Sequence, residues 1–167
     1  MMKASPGVVK VSILVALLAV SLTACQGGSE GGDTGTVSDS DAGQGQVTEW
    51  EALTGEVMKL HNSGDYAEGV EVAKRALDVA QQNDGPDHPN VALSLGNLAE
   101  LYEALEEYSE AEPLYQRSLE ILEKEFGKNS PFLVPTLLNM ASLYENTGRE
   151  VEAQRVMERA NDIQEGL

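Results

Sequence analysis

Three side chains stand out as chemically versatile: Cys25, His61 and His88, the only cysteine and the only two histidines among 167 residues. A single cysteine forms no internal disulfide, and with two histidines it supplies little for a zinc site. No metal or cofactor is expected. Catalysis needs a nucleophile–base pair, two carboxylates facing a cleft, or a metal. His61 falls within a helical pattern and His88 in a loop between patterns, neither with a matched partner. The abundant carboxylates read as helix-surface charges rather than a defined pair. No glycine-rich phosphate loop follows a strand, because no strand pattern is present. The chain is therefore not expected to be an enzyme. It is not expected to bind nucleic acid either: 28 acidic against 11 basic side chains give a net charge of −17, which phosphate backbones repel.

Cys25 takes its meaning from what precedes it. Lys3 and Lys10 are the only charges from Met1 to Gln26, and an apolar run follows from Val11 to Val20. The run is shorter than the roughly 20 residues that span a membrane. A positive start, a short apolar middle and small residues after it make a secretory signal peptide over residues 1–24. A first helix of the folded domain fits less well, since the run is apolar on every face and leads into glycine. The segment Leu22-Thr23-Ala24-Cys25 resembles the bacterial lipoprotein signal, in which a leucine, two small residues and a cysteine are read together. The resemblance implies cleavage after Ala24, a thioether lipid on Cys25 and an acylated new amino terminus. Each buried methylene contributes about 0.8 kcal/mol, so several acyl chains anchor where one does not. Gln26 stands where an aspartate would favour retention in the inner membrane of a Gram-negative cell. The resemblance thus implies an outer-membrane anchor facing the periplasm, or, in a Gram-positive host, the outer face of the plasma membrane.

Residues 25–48 follow as a spacer. From Gln26 to Thr48 there are seven glycines, four acids (Glu30, Asp33, Asp39, Asp41) and no Lys, Arg or aromatic residue. Such a stretch buries too little apolar surface to offset the entropy of ordering it. Random-coil scaling gives a reach on the order of 25 Å. A tether is the expected role, with a partner-binding segment as the alternative.

From Glu49 onward apolar residues recur at helical spacing and the sequence repeats every 42 residues. Arg75, Arg117 and Arg159 share that offset, as do Leu53, Leu95 and Leu137, and Gly69, Ala111 and Ala153. Tyr66 matches Tyr108, Asn97 matches Asn139, Gly85 matches Gly127 and Pro89 matches Pro131. Each period reads as two helices. In the second they cover roughly Pro89–Leu105 and Tyr108–Phe126, broken at Glu106-Glu107 where the other periods have Gly64-Asp65 and Gly148-Arg149. Glycine there suits a left-handed helix cap. Pro113 removes one hydrogen bond from its helix. Ser130-Pro131 reads as an N-cap followed by proline at the first helical position.

The pattern Leu95-x-Asn97-Leu98-Ala99-x-Leu101-Tyr102, then Tyr108-x-Glu110-Ala111-Glu112-Pro113-Leu114-Tyr115-x-Arg117-Ser118-Leu119, resembles a tetratricopeptide repeat. It is similar to the 42-residue variety of kinesin light chains and many bacterial proteins. The resemblance covers residues 49–167 as about three copies, near 49–90, 91–132 and 133–167. It implies an all-α fold, a right-handed superhelical stack of antiparallel helix pairs. The first copy departs with Gly55 in place of the asparagine. The third has Glu150 in place of tyrosine, and Pro135 inside its first helix, which leaves open where that helix begins. Ala99 and Ala111 are expected to let paired helices approach, with tyrosines filling the gaps between repeats. Leu77 and Leu119 become Asn161, and Leu122 becomes Gln164, so the last helix reads as its own cap. Val156, Met157 and Ile163 would leave it a modest apolar edge, a candidate surface for a homodimer.

In this family the first helix of each repeat lines a concave, peptide-binding groove. Carried onto this chain, the groove positions are Thr54, Met58, His61 and Asn62; then Gly96, Asn97, Glu100, Glu103 and Ala104; then Leu138, Asn139, Ser142, Glu145 and Asn146. An asparagine amide can both donate to and accept from an extended backbone. The alternative is that these asparagines cap local backbone or face water. The groove positions include glutamates but no Lys or Arg, so the expected partner is a neutral or basic peptide or protein segment. The expected function is a membrane-anchored protein–protein interaction module. The alternative is an assembly factor for an envelope machine, of the pilotin or outer-membrane-assembly kind.

Overall fold

The computed structural model describes residues 48–166. The expected signal peptide, Cys25 and the expected spacer up to residue 47 lie outside the described residues. Among those described, all regular structure is helical: α1 Glu49–Ser63, α2 Tyr66–Asp84, α3 Pro89–Ala104, α4 Tyr108–Phe126, a 3-10 turn Pro131–Leu133, α5 Val134–Asn146 and α6 Glu150–Glu165.

Local chemistry sets these boundaries. Thr48 opens α1 with a capping box: its hydroxyl accepts from the Glu51 amide at 3.2 Å, and the Glu51 carboxylate accepts from the Thr48 amide at 2.8 Å. The turns within each helix pair share one geometry. Gly64, Glu106 and Gly148 all take positive φ, at 85°, 62° and 73°. The next amide then reaches back over the helix end, from Asp65 to Leu60, from Glu107 to Tyr102 and from Arg149 to Tyr144. The links between pairs use Gly85 and Gly127 at φ near 90° and ψ near 160°, a region open in practice only to glycine. His88 then caps α3 through Nδ1, which accepts from the Asn90 amide at 3.2 Å. α4 runs through Pro113 without a break. The carbonyl that proline frees belongs to Ser109, which is exposed and open to water.

Pro135 settles the start of the third pair. Ser130 caps a 3-10 turn rather than an α-helix, with Pro131 at its head, and the α-helix begins only at Val134. Pro135 thus sits in the first turn of α5, where an amide would have no intrahelical partner. As a result α5 has 13 residues against 16 in α3.

Each helix packs on its neighbour in sequence, and α1 also touches α3 and α3 touches α5. The backbones of α2, α4 and α6 stay apart, and α4 meets α6 through side chains, as in the Arg159–Glu123 ion pair at 2.7 Å. The odd helices therefore lie on the inside of the curve and the even helices splay on the outside. Ala99 and Ala111 are fully buried at the α3–α4 crossing. At the first end of the stack, Glu49, Ala52, Glu56 and Lys59 are exposed. Their counterparts 42 residues on, Val91, Ser94, Leu98 and Leu101, are all buried. At the other end Asn161 and Gln164 are exposed, as a self-capping helix requires. The expected apolar edge is smaller than its sequence implies. Ile163 is buried against Leu133, Val134 and Leu137, and Val156 is half-buried, which leaves Met157, 36% exposed.

Candidate peptide-binding face

The inner face is built from α1, α3 and α5. Its residues from the second and third helix pairs come together, bonded chiefly to one another. Asn139 Nδ2 donates to the Glu100 carboxylate at 2.6 Å. Ser142 Oγ and Asn146 Nδ2 donate to Glu103 Oε1 at 2.8 and 3.0 Å, and Tyr115 OH reaches Glu103 Oε2 at 3.1 Å. The 39-residue spacing of Glu100–Asn139 and Glu103–Ser142 is the 42-residue repeat less one helical step. One α3 residue therefore meets α5 about a turn before its own equivalent. Asn139 is half-buried and donates to Glu100 rather than to local backbone, so it tethers adjacent repeats.

The remaining positions fall into distinct environments. Asn97, Gly96, Ala104 and Leu138 are half-buried, and Glu145, Ser142, Asn146 and Asn62 are exposed. Met58 and His61 are half-buried on α1. The His61 ring lies 5.5 Å from the Tyr66 ring, and its Nδ1 is enclosed without a hydrogen-bond partner. Thr54 departs from expectation. It is 3% exposed and its hydroxyl is sealed from water without a partner, so it meets no ligand from the groove. The cause is its place beside Trp50, Leu53 and Val57 on the face that α1 buries.

Burial also shapes the electrostatics. It pushes the Glu100 carboxyl up to about 7; the Asn139 hydrogen bond works against the rise and the Glu103 charge adds to it. Burial likewise raises the Tyr115 phenol. Among the described residues, no Lys or Arg pairs with Glu100 or Glu103. No group of three or more His, Cys, Asp or Glu among them is placed to hold a metal ion.

The cations serve the outer side. Arg117 and Lys124 both engage Asp87 in the loop before α3. Arg159 pairs with Glu123 at 2.7 Å and donates to the Lys128 carbonyl at 2.8 Å. Arg149 bonds Glu112 at 2.8 Å and stacks 4.3 Å over the Tyr144 ring. The 42-residue recurrence of Arg117 and Arg159 was the signal for these clamps, though spacing alone names no partner. Trp50 Nε1 likewise donates to Ser94 Oγ at 2.8 Å, joining the first and second pairs.

The family model for the tetratricopeptide repeat matches residues 58–124 and 104–166. Among solved structures, BtubC (BKLC) from P. vanneervenii is similar, with 24% identity and a TM-score of 0.66 over 71% of this chain and 46% of that one. A protein of Podosopora anserina described as a kinesin light chain with nearly identical TPR-like repeats is 22% identical, with a TM-score of 0.62 over 68% of this chain and 54% of that one. At such identities the likeness is one of fold, and this chain spans about half the length of each. No curated protein matches it.

Proposed function

The chain belongs to the tetratricopeptide-repeat family, whose fold mediates protein–protein contact, and from that premise we propose a lipid-anchored module that binds a neutral or basic peptide segment on the face formed by α1, α3 and α5. The observation that carries this reading is the charge of that face. Glu100, Glu103 and Glu145 line it, α3 and α5 contain no Lys or Arg, and Arg117, Lys124, Arg149 and Arg159 are paired with acids elsewhere. A cationic segment is attracted there and an acidic one repelled. Asn97 is the amide best placed to meet an extended backbone, because Asn139 is already engaged by Glu100.

The anchor is part of the proposal and rests on sequence. Leu22-Thr23-Ala24-Cys25 behind an apolar run supports lipid on Cys25, and Gln26 supports an outer-membrane address. No helix among the described residues is long and apolar enough to cross a membrane. Growth with labelled palmitate should mark the wild-type chain and leave Cys25→Ser unmarked; label on the variant would remove the anchor from the account. Capture from envelope extract should retain one stoichiometric partner if the module serves an assembly machine, and several weak ones if it is a general scaffold. In either case Asn97→Ala should weaken binding by about 1–3 kcal/mol, and unchanged affinity would move the site off this face.

A further inference from the structure

The only two phenylalanines of the chain, Phe126 and Phe132, are both exposed, at 41% and 56%, with ring centroids 4.6 Å apart. They bracket the link between the second and third helix pairs. At the preceding link the same two positions are Asp84 and Asn90, joined by a hydrogen bond. The repeat therefore builds this link with polar side chains as readily as with aromatic ones. Lone exposed apolar side chains are ordinary, but a stacked pair standing where a polar pair would serve asks for a partner.

The rings lie on the edge of the stack from which the N-terminal chain leaves. Paired helices alternate in direction, so the starts of α1, α3 and α5 share one edge with the ends of α2, α4 and α6. Contacts along that edge bear this out: Trp50 bonds Ser94, Arg159 bonds the Lys128 carbonyl, and Ile163 packs with Leu133 and Val134. Thr48 opens α1 there, and the chain that leads back from it reaches Cys25. Several acids of this edge are already answered, Asp87 by Arg117 and Lys124, and Glu123 by Arg159. Lys128, between the rings in sequence, is exposed and forms no ion pair among the described residues. Exposed Glu125, Asp162 and Glu165 leave the edge without a positive excess, so charge alone does not draw it to an anionic surface.

We propose that Phe126 and Phe132 seat this edge of the stack on the lipid surface that carries the anchor, with both rings in the zone between head groups and acyl chains. The seat rests on the lipid at Cys25 advanced above. Two partly exposed rings offer too little apolar area to hold a free protein on a bilayer. A link to an anchored residue makes the contact intramolecular, and residues 26–47 set the effective concentration that compensates for the small area. Lys128 keeps its ammonium among the head groups while its stem follows the rings. Because the contact is apolar it needs no anionic lipid. It leaves the inner face open to the side and turns the edge formed by Gly64, Glu106 and Gly148 away from the membrane.

The test takes the full chain as the cell processes it, purified and placed in phosphatidylcholine vesicles whose lipids carry a nitroxide just below the head group. A fluorescent amino acid replaces Asn129, beside the rings, or Glu107, on the far edge, about 24 Å away along the 16-residue α3. Quenching should be several-fold stronger at 129 than at 107. Phe126→Asp with Phe132→Asn, which copies the Asp84–Asn90 pair, should bring it down to the level at 107. Equal quenching at the two positions overturns the seat and leaves the rings to a protein partner. Quenching at 129 that survives the double substitution overturns it too, as does a dimer in sedimentation that the double substitution dissolves, which gives the rings to a second copy. Should the double variant not fold, the ratio of quenching at 129 and 107 with both phenylalanines in place decides. Palmitate label on the same preparation separates the two readings: a labelled chain quenched equally loses the seat alone, and an unlabelled chain loses the anchor and the seat with it.

Discussion

A phenol held in a protein core needs a partner for its hydroxyl, and Tyr115 finds one in Glu103 across the inner face. Removing it with Tyr115→Phe keeps the ring and deletes one of three donors to that carboxylate. The expected cost is about 1–2 kcal/mol in denaturant unfolding; no change would mean that Ser142 and Asn146 satisfy Glu103 without it. Tyr115 reads from sequence as a gap-filling aromatic, which is half its role. Its other half depends on a neighbour 12 residues away whose direction only the helix crossing fixes. Asn139 was legible as a recurring amide at a 42-residue interval. That it bonds Glu100 was not, because the register between α3 and α5 is set by α4 and the connections on either side of it rather than by either helix.

At the scale of the element, the turns carry the sharpest consequences. Gly64, Glu106 and Gly148 occupy one left-handed position, but Glu106 has a Cβ there. Left-handed backbone costs such a residue roughly 1–2 kcal/mol, offset in part by the greater unfolded-state freedom of glycine. Glu106→Gly should therefore raise stability by about 0.5–1 kcal/mol, read from the shift in denaturation midpoint. Gly127→Ala should lower it by about 1–3 kcal/mol through conformation alone, because an added Cβ meets nothing within 4 Å. Both helix boundaries and turn positions were readable in sequence from the periodic Gly and Pro. The third pair was harder: two prolines four residues apart offer two starting points. The structure uses both, Pro131 for the 3-10 turn and Pro135 for the α-helix. A related exchange occurs at the links. Asn90 donates to Asp84 at 2.9 Å between the first two pairs; 42 residues on, the same positions are Phe132 and Phe126, with ring centroids 4.6 Å apart.

Taken together, the described residues form a stack whose ends present exposed polar side chains of α1 and α6 and whose curve gathers the odd helices. Ile163 tests how the third pair is held. As a core residue of the last helix it should cost about 2–4 kcal/mol when changed to Ala. A small effect would return it to the apolar edge from which a homodimer was expected. Charge acts at this scale too. The net −17 repels phosphate backbones and attracts cationic segments, and cleavage after Ala24, as proposed, would remove Lys3 and Lys10 and make the chain more acidic still. The account's central claim is that partners meet the inner face. Site-specific photo-crosslinking in cells producing the full chain tests it most directly, with the reactive residue at Asn97 on α3 or at Arg155 on the outer side of α6. Adducts from position 97 and none from 155 are predicted; adducts from 155 alone would contradict the account.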